Sequence, residues 1–467
     1  MKYVEEKIVN DQLLICENIR SMLSEKYGDD MPGFYIQTLG CQQNEADSER
    51  MAGLARLMGY RPVDDPKDAR LIFVNTCAIR EHAEIRALSF IGEYKHIKDE
   101  YPDTIIGVGG CMVTQDHRID KIKHSFPYVS FTFDTGAIHL VPELVLGAIK
   151  KEKRTFIKSE DYAIAENIPV HRSNNYMGWL SIMYGCNNFC SYCIVPYVRG
   201  RERSRRPEAI IKEAKEMVET GIKDITLLGQ NVNSYGKDTG DMNFAGLVRE
   251  ICKIEGDFKI RFMTSHPKDA SDELIQVMAE EKKVVPHFHL PVQSGSDKIL
   301  RAMNRRYTKE KYLDTVEKLK SAVPDVSITS DIIVGFPGET EEDFEETLDL
   351  MKKVRYDMVF SFIYSPREGT PAAEMPEQIP HSVSAERMGR LLKLQDEICL
   401  ERNQRFIGKT VEVLCDSVSK NDPEMMTGRA DAPRPIHFKG DKTMIGKIIK
   451  IKITAADKYS LSGEIVK

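Results

Sequence analysis

Three cysteines in the first quarter of the chain each directly follow a short apolar run. The sequence reads Leu-Gly-Cys up to Cys41, Asn-Thr-Cys up to Cys77 and Gly-Gly-Cys up to Cys111. Helix-compatible segments separate the apolar runs, and this strand–helix alternation predicts right-handed βαβ units and a parallel sheet. Because the carboxyl ends of parallel strands lie at one edge of a sheet, the three thiols are predicted to converge there.

Two interpretations of these thiols are open from the residues alone. Buried structural cysteines are common in protein cores, and three of them would need no chemistry. Three thiols at one sheet edge can instead hold three corners of an iron–sulfur cluster and leave one iron open. A single cysteine can follow a strand by chance, but it is much less probable that all three would do so by chance. The pattern therefore favours an iron–sulfur cluster.

A second group of cysteines is compact, since Cys186, Cys190 and Cys193 form a C-x3-C-x2-C triplet just after another apolar run. Structural zinc takes four ligands, and His171 or a distant residue would have to complete such a site. Three thiolates on one loop instead suit a [4Fe-4S] cluster whose open iron binds the amine and carboxylate of S-adenosylmethionine (SAM). Tyr192, directly before the last cysteine, strengthens this interpretation and is predicted to lie at the cofactor site.

The apolar pattern predicts an α/β chain whose first domain contains a parallel sheet. A chain of 467 residues exceeds one ordinary domain, so several folding units are expected. Residues 1–30 are interpreted as an acidic extension with a helix ending near Gly28, residues 32–150 as the first domain, and residues 150–175 as a polar linker. The strands of this domain are predicted at 34–39, 71–75, 105–109 and 129–133.

Residues 172–402 are predicted to form a partial (β/α)6 barrel, and residues 405–467 a small antiparallel β-barrel. Six apolar runs separated by helical segments are two units short of an eight-fold barrel. A long helix at 384–406 leads into the tail, where short strand-like runs lie among Gly and Asp turns. The six central runs lie at 180–184, 225–228, 260–263, 288–292, 328–334 and 359–364.

Charge and hydropathy argue against a membrane protein. The net charge is −6, and no stretch approaches the ~20 apolar residues that cross a bilayer. The acidic N-terminus is unlike a signal peptide, so a cytoplasmic location with reduced cysteines is expected. One basic block stands out, and it is predicted either to contact nucleic-acid phosphates or to form a solvated face. Its members are Arg199, Arg201, Arg203, Arg205 and Arg206.

Polar residues follow two strands of the predicted barrel, at the end where barrel enzymes build their sites. Gln230 and Asn231 come after the second strand, and Gln293 and Ser294 after the fourth. We predict that the first pair positions SAM or an adenine and that the second pair contacts the SAM ribose. For the first pair, stabilisation of a turn is an alternative.

With both cysteine triplets in place, residues 31–467 resemble the radical-SAM methylthiotransferases, and among them the MiaB-type enzymes that modify tRNA. The segments that carry the resemblance include Thr-Leu-Gly-Cys-Gln-Gln-Asn at 38–44, Asn-Thr-Cys-Ala-Ile-Arg-Glu at 75–81 and Tyr-Gly-Cys-Asn-Asn-Phe-Cys-Ser-Tyr-Cys at 184–193. The resemblance implies a methylthiotransferase domain, a radical-SAM partial barrel and a TRAM domain, a small RNA-binding β-barrel. It implies a SAM-cleaving [4Fe-4S] cluster on the compact triplet and an auxiliary [4Fe-4S] cluster on Cys41, Cys77 and Cys111.

The resemblance also implies an activity, the conversion of N6-isopentenyladenosine next to the tRNA anticodon to its 2-methylthio derivative. One SAM would methylate a sulfur carried by the auxiliary cluster. A second SAM would yield a 5′-deoxyadenosyl radical that removes hydrogen from carbon 2 of the adenine. The implied partners are the anticodon stem-loop, an electron donor and a sulfur donor of unspecified identity, and the chain is expected to be a monomer without a membrane contact.

Three other functions are alternatives to the modification of isopentenyladenosine in tRNA. Sister enzymes that methylthiolate a ribosomal-protein aspartate or threonylcarbamoyladenosine in tRNA form the nearest alternatives, because cluster ligands do not separate the aspartate enzyme from a tRNA enzyme. The Asn-Thr-Cys-Ala-Ile-Arg block and the basic tail favour a tRNA substrate over the ribosomal-protein aspartate. A non-catalytic iron or zinc RNA-binding module would have no need of a six-unit barrel.

Overall fold

The computed structural model of the chain describes residues 3–79, 81–420 and 422–466, and in this part a six-stranded parallel sheet forms the N-terminal domain. Its strands are β1 (Gly33–Thr38), β2 (Arg61–Pro62), β3 (Ala69–Thr76), β4 (Ile105–Gly110), β5 (Phe131–Phe133) and β6 (Thr155–Ile157). Their order is β2-β1-β3-β4-β5-β6, and every pair is parallel. The four predicted strands are confirmed as β1, β3, β4 and β5, with short strands at both edges.

The first helix belongs to this domain. The helices are α1 (Glu6–Tyr27), α2 (Gln42–Leu57), α3 (Glu81–Glu100), α4 (Asp116–Ser125) and α5 (Val141–Ile149). Helix α1 contacts α2 and α5 and buries Cys16, Ile19 and Leu23 in the same core as Phe73 of β3. The prediction that residues 1–30 form an appendage is therefore wrong, although the helix does end next to Gly28.

The predicted linker at 150–175 is also an ordered part of the fold. Strand β6 lies within it, and a bridge joins Ile164 to the N-terminal segment through the Val4 N–H (2.8 Å). A Cβ added to Gly53 of α2 would come within 2.1 Å of the Pro169 carbonyl oxygen, so the segment lies directly on that helix. Backbone contacts of this kind were not visible in a polar sequence.

The central domain contains the six predicted parallel strands. The strands of this region are β7 (Met177–Ser181), β8 (Met183–Tyr184), β9 (Arg203–Ser204), β10 (Asp224–Leu228), β11 (Lys259–Phe262), β12 (His287–His289), β13 (Ser327–Val334) and β14 (Met358–Ile363). In the described residues β7-β10-β11 and β12-β13-β14 form two parallel sheets that meet where β11 contacts β12. The predicted run 180–184 is broken, because β8 turns away to pair with β9 in antiparallel fashion.

Helices separate the strands of this domain, and the longer ones cover the outer face of the sheets. They are α6 (Val195–Val198), α7 (Pro207–Glu219), α8 (Phe244–Cys252), α9 (Asp272–Glu280), α10 (Asp297–Ala302), α11 (Lys309–Ala322), α12 (Glu341–Val354) and α13 (His381–Gln404). Leu227, Phe262 and Phe288 on the strands pack with Leu350 of α12 in one core. In the part of the chain that the structure describes, no helix has the length and apolar character needed to cross a bilayer.

The C-terminal domain is a closed barrel. Its described strands are β15 (Thr410–Val418), β16 (Met425–Arg429), β17 (Pro435–Lys439), β18 (Ile448–Ala456) and β19 (Leu461–Ile465). They close in the order β15-β16-β17-β19-β18 around Val413, Phe438 and Ile451. The predicted antiparallel barrel is confirmed except that β17 and β19 pair in parallel.

This barrel packs against the beginnings of the central strands. The Tyr176 hydroxyl, just before β7, donates to the Asp416 carbonyl (2.8 Å), and Lys223 Nζ, just before β10, donates to the Gly446 carbonyl (2.9 Å). The carboxyl ends of the central strands point in the opposite direction, toward the N-terminal domain. Gln43 of α2, for example, donates to the hydroxyl of Ser181 at the end of β7 (2.9 Å).

Candidate active site

The cysteines that follow β1, β3 and β4 converge at one edge of the N-terminal sheet. The register of the three strands aligns their carboxyl ends. The Cys111 N–H donates to the carbonyl of Thr76 (3.0 Å), the residue before Cys77. Burial raises the pKa of the Cys111 thiol to about 12, and the nearby thiols of Cys77 and Cys41 add to that rise while Arg199 opposes it. The sheet therefore brings the three thiols to one place.

A tight turn places Cys41 at this edge. Gly40 has φ +136°, and a Cβ there would lie 2.4 Å from Asn44 Oδ1 and 2.9 Å from the Cβ of Cys77. Asn44, in the first turn of α2, accepts from the Cys41 N–H (3.3 Å) and donates to the Thr76 carbonyl (3.0 Å). The turn at Gly40 and the hydrogen bonds of Asn44 thus hold Cys41 beside Cys77.

The compact triplet lies on the loop between β8 and α6. The Cys193 N–H donates to the Cys190 carbonyl (2.9 Å), and the Cys186 N–H donates to the Gly200 carbonyl (3.2 Å). Phe189 adopts a left-handed backbone with φ 48°, which lets the loop fold tightly. Burial, with a smaller contribution from Cys190, raises the pKa of Cys193 to about 12.

Each cysteine group has a buried arginine against one of its sulfurs. Arg199 Nε lies 3.2 Å from Cys111 Sγ, and Arg305 Nη1 lies 3.4 Å from Cys190 Sγ. A cation beside a thiol favours the thiolate, which is the form that binds iron. Three thiols with a guanidinium donor at each site therefore fit two iron–sulfur clusters.

A mononuclear zinc site fits less well. Within residues 3–79, 81–420 and 422–466, no group of three or more His, Cys, Asp or Glu side chains is arranged to hold one metal ion. The ligands of a cubane bind different irons, so they stand further apart than the ligands of one zinc. His171, the alternative zinc ligand, instead lies against Arg56, with Nε2 3.2 Å from Nη1.

The arginine block is mostly buried. Arg199, Arg203 and Arg205 are 3%, 8% and 4% exposed, whereas Arg201 and Arg206 are exposed. The prediction of a five-arginine phosphate contact, and equally that of a solvated face, is therefore wrong for the three buried members. Arg203, Ser204 and Arg205, in and directly after β9, are all buried, and the exposed arginines lie on either side of them.

Arg205 shows what these buried arginines do. Its Nη2 lies 2.7 Å from Glu166, its Nη1 lies 2.8 Å from Glu213 of α7, and Nη1 also donates to the Ser181 carbonyl (2.7 Å). Glu213 in turn binds Arg172, which also pairs with Glu49 of α2. The network fastens the central domain to the N-terminal domain.

The predicted SAM residues after β10 are close to the compact triplet. Gln230 accepts from the N–H of Gly185, the residue before Cys186. It therefore stabilises the cysteine loop, which is the alternative role given above. Asn231 donates to Asp269 (2.7 Å), while its buried Oδ1 has no hydrogen-bond partner among the described residues. Asn231 thus keeps an acceptor available for a ligand.

The residues after β12, for which a contact to the SAM ribose stays a prediction, lie in a buried turn. The Ser294 hydroxyl faces Thr347 of α12 (3.4 Å) and accepts from the Ser296 N–H (3.2 Å), so it stabilises a turn. Gln293 has a left-handed backbone with φ 71°, and its N–H donates to the Asp331 carbonyl (2.8 Å). Tyr192 packs beside the core residue Phe336.

Two further residues belong to this group although sequence reasoning missed them. His266 follows β11 and Asn233 follows β10, and both are buried. His266 Nε2 and both amide atoms of Asn233 have no hydrogen-bond partner in the described part of the chain. The strand-end rule that selected Gln230 would have found His266 had it been applied to the third strand. Unpaired buried polar atoms fit a polar ligand such as SAM.

A cavity of about 900 Å³ opens between the two domains beside the Cys41 turn. Gly40, His82 and Arg86 line it from the N-terminal domain, and Phe362 and Arg367 line it from the central domain. Phe362 is 41% exposed, which is unusual for an aromatic side chain in a strand. The volume suits a nucleotide-sized ligand.

Comparison with known proteins agrees with this architecture. Residues 180–351 match the radical SAM superfamily, residues 33–134 match uncharacterized protein family UPF0004, and residues 404–466 match the TRAM domain. The tRNA-2-methylthio-N(6)-dimethylallyladenosine synthase of Thermoanaerobacter sp. (strain X514) is 48% identical over 461 residues, which cover 98% of both chains. The chain belongs to this synthase family. The synthase of Caldicellulosiruptor saccharolyticus, 49% identical over 97% of both chains, is a second relative.

Membership of the synthase family makes the chain a radical-SAM methylthiotransferase that uses SAM, a [4Fe-4S] cluster and a second, auxiliary cluster. Among solved structures, the radical SAM methyltransferase TsrM from Kitasatospora setae, with cobalamin and a [4Fe-4S] cluster bound, is similar in fold. The TM-score is 0.53 at 14% identity, over 73% of this chain and 77% of that one. At this identity the likeness concerns the fold alone.

Proposed function

We propose that the enzyme adds a methylthio group to carbon 2 of N6-isopentenyladenosine next to the tRNA anticodon. The SAM-cleaving cluster would lie on Cys186, Cys190 and Cys193, and the auxiliary cluster on Cys41, Cys77 and Cys111. The observation that carries the proposal is the Arg199–Cys111 contact, because Arg199 follows the compact triplet by six residues and touches the other cysteine group. When bound, the clusters and SAM supply the 5′-deoxyadenosyl radical and the methylated sulfur.

The side chains of this chain hold the two sites together and keep them dry. Gln43 bridges Ser181 of the barrel and Asp47 of α2 (3.2 Å), and all three are buried between the domains. Exclusion of water protects a radical from stray hydrogen donors. Asn233 and His266 would bind polar groups of SAM with their unpaired atoms.

We place the adenine in the cavity beside Gly40. A base that lies within a tRNA loop can be turned out of its stack into a pocket of an enzyme. Phe362 offers an apolar surface for the prenyl group, and Arg86 and Arg367 would contact the flanking phosphates. The anticodon stem-loop would be the bound part of the tRNA, and the enzyme would act as a cytoplasmic monomer supplied by separate electron and sulfur donors.

Mass spectrometry of tRNA nucleosides tests this function. A strain that lacks its own synthase and expresses this chain should accumulate 2-methylthio-N6-isopentenyladenosine. A methylthiolated ribosomal-protein aspartate or methylthiolated threonylcarbamoyladenosine, with isopentenyladenosine left unchanged, would contradict the proposal and support a sister enzyme.

Substitution of Phe362 should weaken recognition of the prenyl group. Phe362→Ala removes an apolar contact worth about 1–2 kcal/mol, so the KM for isopentenylated tRNA should rise about tenfold. Steady-state kinetics with tRNA substrates measure this. Leu392→Ala, at a similarly exposed apolar position of α13 outside the cavity lining, serves as the control and should leave KM unchanged. Equal loss of affinity for tRNA with and without the prenyl group would contradict the assignment.

The two exposed arginines of the basic block should contact phosphate. Arg201→Gln and Arg206→Gln should each weaken tRNA binding and reduce the log–log salt slope by ~0.7 per lost contact with single-stranded RNA. Binding measured across a salt series gives that slope. Lys318→Gln, an exposed cation on α11, is the matched control. A slope equal to that of the parent protein would exclude both arginines from the interface.

A further inference from the structure

Arg199 connects two domains at the auxiliary cysteine group. It directly follows α6 in the central domain, but its guanidinium reaches the N-terminal domain, where Nη2 lies 2.9 Å from Asp47 Oδ2 and Nε lies 3.2 Å from Cys111 Sγ. The carbonyl of Arg199 accepts from Arg203 Nη1 (3.2 Å), which holds the residue in place. Arg199 and Asp47 are both 3% exposed, so water does not screen them.

One nitrogen of this guanidinium is unused. Arg199 Nη1 is buried and has no hydrogen-bond partner in the described residues. A buried charged donor without an acceptor is unfavourable, and native proteins rarely tolerate one without a functional reason. Nε of the same guanidinium faces the Cys111 thiol, so the three-cysteine site is a neighbouring group that can supply an acceptor for Nη1.

A purely structural role for Arg199 does not account for this geometry. Arg205 joins the same domains, and each of its three nitrogens has a partner in Glu166, Glu213 or the Ser181 carbonyl. Arg199 instead has one nitrogen on a carboxylate, one on a sulfur and one with no partner. Arg199 and Arg205 are equally buried, but Arg205 contacts two carboxylates and a carbonyl, whereas Arg199 contacts one carboxylate and one sulfur.

We propose that Arg199 is a positioning residue that donates hydrogen bonds to the sulfur atoms of the auxiliary cluster and thereby sets its reduction potential. Hydrogen bonds and positive charge at cluster sulfurs favour the reduced form. Asp47, on the other side of the guanidinium, partly neutralises that charge. The radical-SAM domain thus tunes the auxiliary site through one side chain. The inference rests on the proposed function only in requiring a cluster on Cys41, Cys77 and Cys111.

Two substitutions with opposite expected signs test this role. Arg199→Gln removes the charge and most of the donors, so the constant for one-electron reduction of the auxiliary cluster should fall about tenfold, or about 59 mV. Asp47→Asn leaves Arg199 un-neutralised and should raise that constant. Arg199→Lys keeps the charge and should lie between Arg199→Gln and the parent. Arg118→Gln breaks an ion pair with Glu84 within the N-terminal domain and should leave the reduction constant of the auxiliary cluster unchanged.

The measurement is a redox titration of the anaerobic holoenzyme followed by electron paramagnetic resonance. The chain with alanine at the compact triplet identifies the auxiliary signal. A role in domain docking alone predicts the same effect for Arg199→Gln and Asp47→Asn, because each breaks the same ion pair. Shifts of equal sign, or no shift, would overturn the proposal.

Iron content resolves the case in which a variant loses its cluster. Loss of iron in Arg199→Gln with full retention in Asp47→Asn supports the proposal, since both variants lack the ion pair and only one lacks the sulfur contact. Loss in both overturns it. If the parent chain itself binds no iron at Cys41, Cys77 and Cys111, the proposed function fails. If iron binds and the potential does not move, this inference fails alone.

Discussion

Alanine at Cys186, Cys190 and Cys193 should abolish SAM cleavage, whereas alanine at the auxiliary triplet should leave cleavage intact and abolish methylthiolation. Each change should lower the iron content of the anaerobic protein from about eight to about four atoms per chain, because each triplet holds one cubane. Iron and sulfide analysis, together with the yields of 5′-deoxyadenosine and methylthiolated nucleoside, measure both effects. The auxiliary triplet consists of Cys41, Cys77 and Cys111.

Buried cysteines elsewhere provide matched controls. Cys252 lies in α8 and Cys415 in β15, and both are buried in apolar cores like the proposed ligands. Alanine at either position should leave the iron content unchanged. If a triplet variant kept about eight irons, or if a control variant lost four, the ligand assignment would be wrong.

Replacement of Arg205 by methionine should destabilise the protein rather than merely weaken RNA binding. The change leaves Glu166 and Glu213, whose side chains are 14% and 18% exposed, without their common buried partner, and removing one member of a buried ion pair lowers the free energy of unfolding by about 3–5 kcal/mol. The melting temperature should fall by several degrees. Arg206→Met, at the exposed neighbouring position, should leave the melting temperature unchanged.

The pH dependence of stability gives a second measure of this network. Burial alone would raise the pKa of Glu213, but Arg205, Arg50 and Arg172 together lower it to about 2, from an ordinary value of 4.5. A depressed folded pKa stabilises the folded state above the unfolded pKa, and the effect is lost as the pH falls from about 4.5 to 2. In Arg205→Met the pKa of Glu213 should be less depressed, so the stability lost as the pH falls from about 4.5 to 2 should be smaller. Identical melting profiles for the variant and the parent would show that the network contributes nothing.

The sequence was sufficient to predict the position of residues that directly follow a strand of a parallel sheet. Cys41, Cys77 and Cys111 could be placed together because each follows a strand of one parallel sheet, and parallel register aligns strand ends regardless of the intervening chain. The same reasoning selected Gln230 at a strand end, and the structure shows it in contact with Gly185, directly before the compact triplet. It could not predict which atoms these side chains contact, such as the approach of the Ser294 hydroxyl to Thr347 of α12.

The sequence did not show that three arginines of the basic block are buried. Five arginines within eight residues are typical of a surface, and their carboxylate partners lie far away in the chain. Asp47 is remote from Arg199, and Glu166 lies before the cysteine loop that precedes Arg205. Only the docking of two domains makes these pairs, and an apolar or polar pattern within one segment carries no information on it.

The C-terminal barrel lies against the beginnings of the central strands, while both cysteine groups lie beyond their carboxyl ends. A strand of eight residues such as β13 is on the order of 25 Å long. An RNA that touches both ends of the enzyme at once must therefore be long enough to reach across the whole central domain, which an isolated nucleoside is not. Contact at both ends requires a molecule of the size of a folded tRNA, the substrate named for the related synthases, and cannot be made by a free modified base.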